Sequence, residues 1–497
     1  MPNNHLVLTK SQQHAFLEFN NFLEKDGRVF ILKGYAGTGK TTLMQEFIKE
    51  LEKRDYKFVL LASTGRAAKI LGDITERESC TVHSHIYKFI DFNQDLDEVQ
   101  RKQKKEEDSG QLLLDFALAD INNDTTQRKR FYFVDESSMI ADVEDKMPTQ
   151  AKFGSGRLLK DLLKYDEDGH FIFIGDECQL PPINQSISCA LSTDYFKDEY
   201  HIEAKEASLT EIVRQAEGND IVQAAKEIRD LYANPPSIKW AKFPLRGFRN
   251  ISIKKNQEEL LVDYAADIKK YGYEHSTLLC RSNKRCEELT SFIRTALGLS
   301  EKTIQKKDLM LVTQNNYLSG LVNGDLVEIL SVGNREQRAG LTFVSVEVRE
   351  IGSKKRYSQL MLEDVVYSGL TNINQCQQKN LFMDFHKRMK AIGIPQKSPD
   401  YKLKMMKDPY LNALRCVFGF ALTCHKAQGG EWEEVYLDIP RNLPFSPDKT
   451  AYQWLYTAVT RAKKTLYVID DFWVGTANEC MVQGNRRSSG LSDLLPF

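Results

Sequence analysis

The stretch Val29 to Met44, VFILKGYAGTGKTTLM, decides the fold. A short apolar, β-rich run meets a glycine-rich turn that opens directly into a helix, and Gly34, Gly39, Lys40 and Thr41 fall on the G-x-x-x-x-G-K-[ST] spacing of a phosphate-binding loop. Glycines let the successive backbone N–H groups of Ala36, Gly37, Thr38 and Gly39 turn inward on a triphosphate, and the helix that begins with Thr41 and Thr42 adds its positive dipole end. Lys40 then reaches the outer phosphates and Thr41 presents a hydroxyl to Mg²⁺. A plain glycine turn between a buried strand and a helix is the alternative. The strand–loop–helix context favours the loop, so ATP with Mg²⁺ is the expected ligand.

Outward from this loop, 497 residues are too many for one core and predict several domains. The net charge of −1 gives no general attraction for nucleic acid, so any such partner must be held in a local groove. Nine cysteines are scattered with no C-x-x-C pair, a pattern of free thiols that excludes a disulfide framework or a zinc ribbon. The polar start MPNNHLVLTK lacks an apolar h-region, and no window approaches the ~18 apolar residues of a membrane span. The expectation is a cytoplasmic chain with no membrane partner.

Upstream, LTKSQ (Leu8 to Gln12) leads an amphipathic run, His14 to Phe22, with Thr9 or Ser11 as its cap and Gln12 able to offer its amide to an adenine edge. Downstream, KFVLLA (Lys57 to Ala62) is a second buried strand ending in Ser63-Thr64-Gly65-Arg66, and TVHS (Thr81 to Ser84) opens a short helix with similar polar equipment. The mixed charge run RKQKKEEDSG (Arg101 to Gly110) reads as a solvated loop or helix face. Its flanks, Tyr87 to Phe92 and Gln111 to Ile121, pair as a projecting hairpin. Phe131 to Val134 then re-enters the core and sets Asp135-Glu136 at a strand end, where Asp135 joins the Mg²⁺ shell and Glu136 deprotonates the attacking water. Another strand, His170 to Ile174, ends in GDECQLPP, which brings Gln179 to the same edge as a sensor of the terminal phosphate and leaves Asp176 as a turn cap. LTEIVRQ (Leu209 to Gln215) carries Arg214.

Asn234-Pro235-Pro236 begins an irregular linker and a first domain boundary. After it, Thr277 to Cys280 is a strand, and Leu309 to Val312, Asp325 to Val332 and Leu341 to Arg349 suggest a small barrel with Asn323-Gly324-Asp325 and Val332-Gly333-Asn334 as turns. Asn372 to Tyr410 is basic, polar and partly helical. The α/β character then returns with Val417 to Leu422, Val435 to Ile439, the helix Trp454 to Thr460 carrying Arg461, and Thr465 to Ile469. His425 has no second ligand at i+4 and Lys426 beside it, which favours a hydrogen bond to phosphate or sugar over metal ligation.

The ordered series LTKSQ, GYAGTGKT, LASTGRAA, TVHS, VDES, GDECQLPP, LTEIVRQ, LTCHKAQGGEW and LYTAVTRAKK resembles the superfamily 1 helicases, and within them the RecD/Dda-like 1B branch. The resemblance runs from residue 8 to about residue 470. It implies an α/β fold of two RecA-like domains: 1–235 with a wedge hairpin inserted at about 88–129, and 236–308 with 412–497, interrupted at 309–411 by an SH3-like β-barrel and the basic segment. It also implies that Gln12 reads adenine, that Lys40, Thr41, Asp135, Glu136 and Gln179 serve the phosphates, Mg²⁺ and water, and that Arg214 and Arg461 close on the phosphate. Thr64, His83, Thr423 and His425 fall at DNA-backbone positions and Glu431 near the ribose. The implied partner is single-stranded DNA and its junctions with duplex, followed 5′ to 3′ by a monomer, with RNA as an alternative strand. Two rival readings are a translocase or RNA remodeller that never opens a duplex, and a nucleotide-switched binding protein in which hydrolysis is only a timer.

Overall fold

The computed structural model describes residues 8–481 apart from 106–109, 122–128, 145, 147–149, 214–218, 237–240, 301–302 and 441–448. Its first sheet is parallel throughout, in the order Ser79–Thr81, Lys57–Ala62, Arg130–Asp135, His170–Gly175, Val29–Gly34 and Lys205–Leu209. Such a sheet is covered on both faces, and its strands read as continuous apolar runs because neither face meets water. Val29 through Leu32 and Phe171 through Phe173 are accordingly fully buried. One face packs the helices Lys10–Glu24 and Lys40–Lys53 through Phe19, Phe22, Phe30 and Phe47, with the rings of Phe19 and Phe47 stacked at 4.0 Å. Each such ring is worth roughly 1.5–3 kcal/mol of burial. Thr9, not Ser11, caps the first helix, in a reciprocal box with Gln12.

The second sheet is also parallel, in the order Ile251–Lys254, Ala462–Ile469, Trp432–Leu437, Ser276–Cys280 and Ala421–Thr423. Packing reaches across the boundary read at Asn234. The helix Ile221–Ala233 precedes that linker in the chain, yet it buries Ile221, Ala224, Ile228 and Leu231 in the core of the second sheet, together with the helix Lys449–Val459. Its apolar stripe at helical spacing identifies a buried face without saying which core it joins.

A five-stranded antiparallel sheet interrupts the second domain, in the order Arg356–Leu362, Leu341–Glu350, Leu326–Arg338, Leu309–Val312 and Cys416–Phe418. A bridge between Met361 and Leu414 joins its two ends and curls it toward closure. The turn expected at Val332-Gly333-Asn334 is absent. The strand runs on through that stretch with a register shift between Val332 and Arg335, and reverses at Ala339-Gly340, both with positive φ. Two consecutive left-handed residues match the twist of the flanking strands, whereas a glycine in mid-strand more often marks a bulge.

The hairpin pairs Tyr87–Phe92 antiparallel to Leu114–Leu118, and Ala151–Phe153 adds a third strand. Between its first two strands lies a helix, Leu96–Lys104, that takes up part of the charged run. The basic segment forms two helices, Gln375–Ala391 and Pro399–Lys407. They dock on the hairpin, where Phe92, Leu96, Val99 and Leu112 share an apolar cluster with Phe382, Phe385, Met389 and Tyr401. Lys390 and His386 reach Asp97 at 2.5 and 3.3 Å, and Lys379 donates to the carbonyl of Gly110 at 2.8 Å.

Candidate nucleotide cleft and the strand-end surface

Parallel pairing in register brings every C-terminal strand end of the first sheet to one edge: Gly34 faces Leu209 and Ala62 faces Asp135. Open α/β sheets bind ligands at that edge. The phosphate loop turns there through Gly37 and Gly39, both at φ +78, and Gly39 caps the helix Lys40–Lys53 in the left-handed conformation. Gly39 is favoured by its positive φ, and a Cβ there would also lie 2.5 Å from Nε2 of Gln12.

Gln12 is buried, donates from Nε2 to the carbonyl of Thr38 at 3.1 Å and accepts from the Thr9 amide at 3.0 Å. It therefore braces the loop. Lys40 Nζ donates to the carbonyls of Gly34 and Tyr35 at 2.7 and 3.2 Å, lying along the loop. Thr41 and Thr42 occupy the first turn of the helix, and Ala36 lies opposite the second domain.

Asp135 ends its strand, and Glu136 follows in the left-handed region at φ +50, its amide donating to Asp135 Oδ1 at 2.9 Å. Burial, then the neighbouring Glu136 charge, pushes the Asp135 carboxyl up to about 6, against the pull of Lys40. A carboxylate held away from water beside a second acid suits a divalent cation, whose charge would offset both. Gln179 is buried and its Oε1 has no hydrogen-bond partner, which leaves one acceptor of the strand-end loop unused by the protein.

Several side chains from the second domain hydrogen-bond to these loops. Tyr456 accepts from the Ala36 amide at 3.1 Å and donates to Asp176 Oδ2 at 2.7 Å. Thr457 Oγ1 accepts from the Leu180 amide at 3.0 Å, Gln453 donates to the carbonyls of Glu177 and Gln179 at 3.1 and 3.2 Å, and Gln428 donates to that of Leu180 at 3.1 Å. Arg461, at the end of the same helix, is buried and donates to Thr457 O, Gly430 O and Thr460 Oγ1 at 3.0, 3.2 and 3.1 Å, so its guanidinium is held within the second domain. Glu431 follows Gly430, 4.0 Å from Lys463. Arg214 lies outside the described residues.

The nucleic-acid candidates share a structural device. Thr64 follows a strand, Thr81 and Thr423 each end one, and all three cap the next helix with a side-chain oxygen, as Ser282 does after Ser276–Cys280. A hydroxyl-capped helix start presents backbone N–H groups suited to phosphate oxygens. His83 is exposed on the helix that Thr81 caps, 5.4 Å from the ring of Phe153, and His425 is half-buried with its pKa lowered by burial, so it is a neutral donor near pH 7.

Tyr456, Thr457, Gln453, Gln428 and Arg66 were not anticipated. Tyr456 and Gln453 sit in a helix whose sequence reads as plain core, although a hydroxyl or amide amid apolar neighbours was the available signal. Arg66 stacks on Trp432 of the second domain at 4.8 Å, with Nη1 buried and unpartnered and its pKa pushed down to about 10 by burial. No local pattern announced that contact.

Residues 7–234 match the AAA domain family and residues 418–469 the UvrD-like helicase C-terminal domain. An uncharacterized protein of Methanocaldococcus jannaschii is 25% identical over 89% of this chain, which spans 36% of that longer protein. The ATP-dependent DNA helicase Dda of Enterobacteria phage T4 is 23% identical over 93% of this chain and 99% of its own. A crystal structure of the Pif1 helicase from Bacteroides in complex with ADP-AlF3 and single-stranded DNA aligns over 96% of this chain and 95% of its own, at 16% identity and a TM-score of 0.47. No helix among the described residues is long and apolar enough to cross a membrane. With an AAA domain and a UvrD-like helicase C-terminal domain in one polypeptide, and an alignment to Dda over nearly the whole of both chains, this protein is similar to the superfamily 1B helicases of the RecD/Dda-like branch.

Proposed function

We propose that the chain is an ATP-driven DNA helicase that moves 5′ to 3′ along single-stranded DNA as a monomer and parts duplex at the junction. The observation that carries this reading is the seam itself: the helix Lys449–Val459 of the second domain meets both the phosphate loop and the GDECQLPP strand end of the first. A nucleotide seated there can govern how two RecA-like domains stand relative to one another.

In this reading the loop amides from Ala36 to Thr42 and Lys40 hold the phosphates, Gln12 meets the adenine and Glu431 lies toward the ribose. Thr41 and Asp135 would hold Mg²⁺, which supplies charge neutralisation between the phosphates when bound. Glu136 orients and deprotonates water, Gln179 senses the terminal phosphate by donating from Nε2 while its unused oxygen accepts from the attacking water, and Arg461 with Arg214 meets the charge that develops in the transition state. Thr64, His83, Thr423 and His425 grip the strand by its backbone, so binding shows little sequence preference and falls steeply with salt. The antiparallel unit acts as an SH3-like barrel and the hairpin as the wedge, stiffened by the docked helices.

A strand-displacement assay on 5′-tailed and 3′-tailed duplexes, of DNA and of RNA, with and without ATP, tests this. Unwinding of the 5′-tailed DNA alone is expected. Nucleic-acid-stimulated hydrolysis with neither duplex opened would leave a translocase, and slow hydrolysis indifferent to single strands would leave a nucleotide-timed binder.

A further inference from the structure

Ala36 lies within the phosphate loop, and its amide points at a hydroxyl 420 residues further along the chain, that of Tyr456. Tyr456 is fully buried and uses its own proton on Asp176 Oδ2, so the phenol oxygen is left as an acceptor for the loop. Asp176 is held in turn by the Cys178 amide at 3.0 Å and stands three residues before Gln179. Burial, followed by the Asp176 charge, raises the phenol well above its ordinary pKa, and it remains a neutral hydroxyl across the physiological range. A buried tyrosine hydroxyl generally needs a partner, but Asp176 alone would provide one. Both bonds cross from the second domain to the first, and the second reaches the phosphate loop itself.

A triphosphate on this loop and the phenol oxygen compete for one donor, because a single N–H cannot serve two acceptors at full strength. Tyr456 also sits five residues before Arg461, whose Nε is tied to the carbonyl of Thr457 at 3.0 Å. Displacing the phenol therefore disturbs the helix end that carries the guanidinium. We propose that the Tyr456 hydroxyl is an internal competitor for the phosphate loop, holding the Ala36 amide until a nucleotide phosphate takes it, and that this exchange couples nucleotide binding to the placement of Arg461. Tyr456 is thus a positioning residue. The inference rests on the cleft being the ATP site.

The test is Y456F in the full chain, with mant-ATP titrated at equilibrium and ATPase rates measured with and without an oligo-dT strand. Removing the competitor is expected to tighten mant-ATP binding by about three- to tenfold, the worth of one exchanged hydrogen bond, and to lower KM in step. Stimulation of kcat by the strand falls at the same time, since the helix end no longer reports on the loop. A purely structural hydroxyl would leave affinity unchanged or weaken it, and either outcome, or full retention of strand stimulation, overturns the proposal. Should Y456F fail to fold because Asp176 is left buried without its donor, the Y456F/D176N double variant carries the same measurements. Wild-type chain that binds no mant-ATP defeats the ATP-site reading, whereas wild-type binding with an unaffected variant defeats only the latch.

Discussion

Two of the contacts between the halves of this molecule are built from opposite materials. At the cleft, Tyr456, Thr457, Gln453 and Gln428 hydrogen-bond to backbone and side-chain groups of the first domain's loops. At the hairpin, Phe92, Leu96 and Val99 bury against Phe382, Phe385 and Met389, with the rings of Phe92 and Phe382 edge to face at 5.0 Å. A hydrogen bond exchanged for another, to phosphate or water, changes free energy by only about 0.5–1.5 kcal/mol. Exposed apolar area finds no such substitute in water. Contacts at the cleft can therefore be exchanged at small cost, whereas opening the hairpin dock would expose apolar area.

The largest expected effects are on the cleft chemistry. Glu136→Gln should lower turnover by about 10²–10⁴-fold while mant-ATP still binds, and normal DNA-stimulated hydrolysis in that variant would remove Glu136 as the base. Arg461→Ala should cost about 10³-fold in kcat with little change in nucleotide affinity. Equal losses in both would mean that Arg461 stays on its second-domain carbonyls throughout the cycle, and the cleft would lose its claim to close.

Phe382→Ala addresses the other contact. Truncating a buried ring typically costs about 3–5 kcal/mol of packing. Strand displacement should collapse while single-strand-stimulated ATPase persists, and parallel losses of both would show that the dock serves the motor rather than the wedge. Gln453→Ala should be milder, about 1 kcal/mol per lost bond, read as a few-fold fall in kcat/KM with unwinding per ATP unchanged. The smallest effect belongs to Lys390→Ala. Its partner Asp97 is exposed and the pair is screened, so Tm and unwinding should move by no more than about 1 kcal/mol allows, which separates the apolar share of the dock from its charged rim.

How much of this was legible follows from how local each signal is. The loop was readable because Gly37 and Gly39 must adopt positive φ and Lys40 must start a helix, requirements confined to a few consecutive residues. Asp135-Glu136 and Gln179 were readable because each ends an apolar run that can only be a buried strand. The hairpin partners Tyr87–Phe92 and Leu114–Leu118 were found, but the helix between them and the reversal at Ala339-Gly340 were not. Charged helix faces and solvated loops share a composition, and a strand bulge and a turn both accept glycine.

The amino-acid sequence by itself determined the parallel α/β character, the phosphate loop, the acids and amide at the strand ends, and the kinship with superfamily 1B helicases, since these depend on near-neighbour spacing and backbone stereochemistry. Only the tertiary structure decided that Ile221–Ala233 joins the second core, that the basic segment clasps the hairpin, and that Tyr456 holds Ala36. Those contacts join residues hundreds of positions apart. A buried apolar stripe or a buried hydroxyl declares that it needs a partner, and only the folded chain supplies which one.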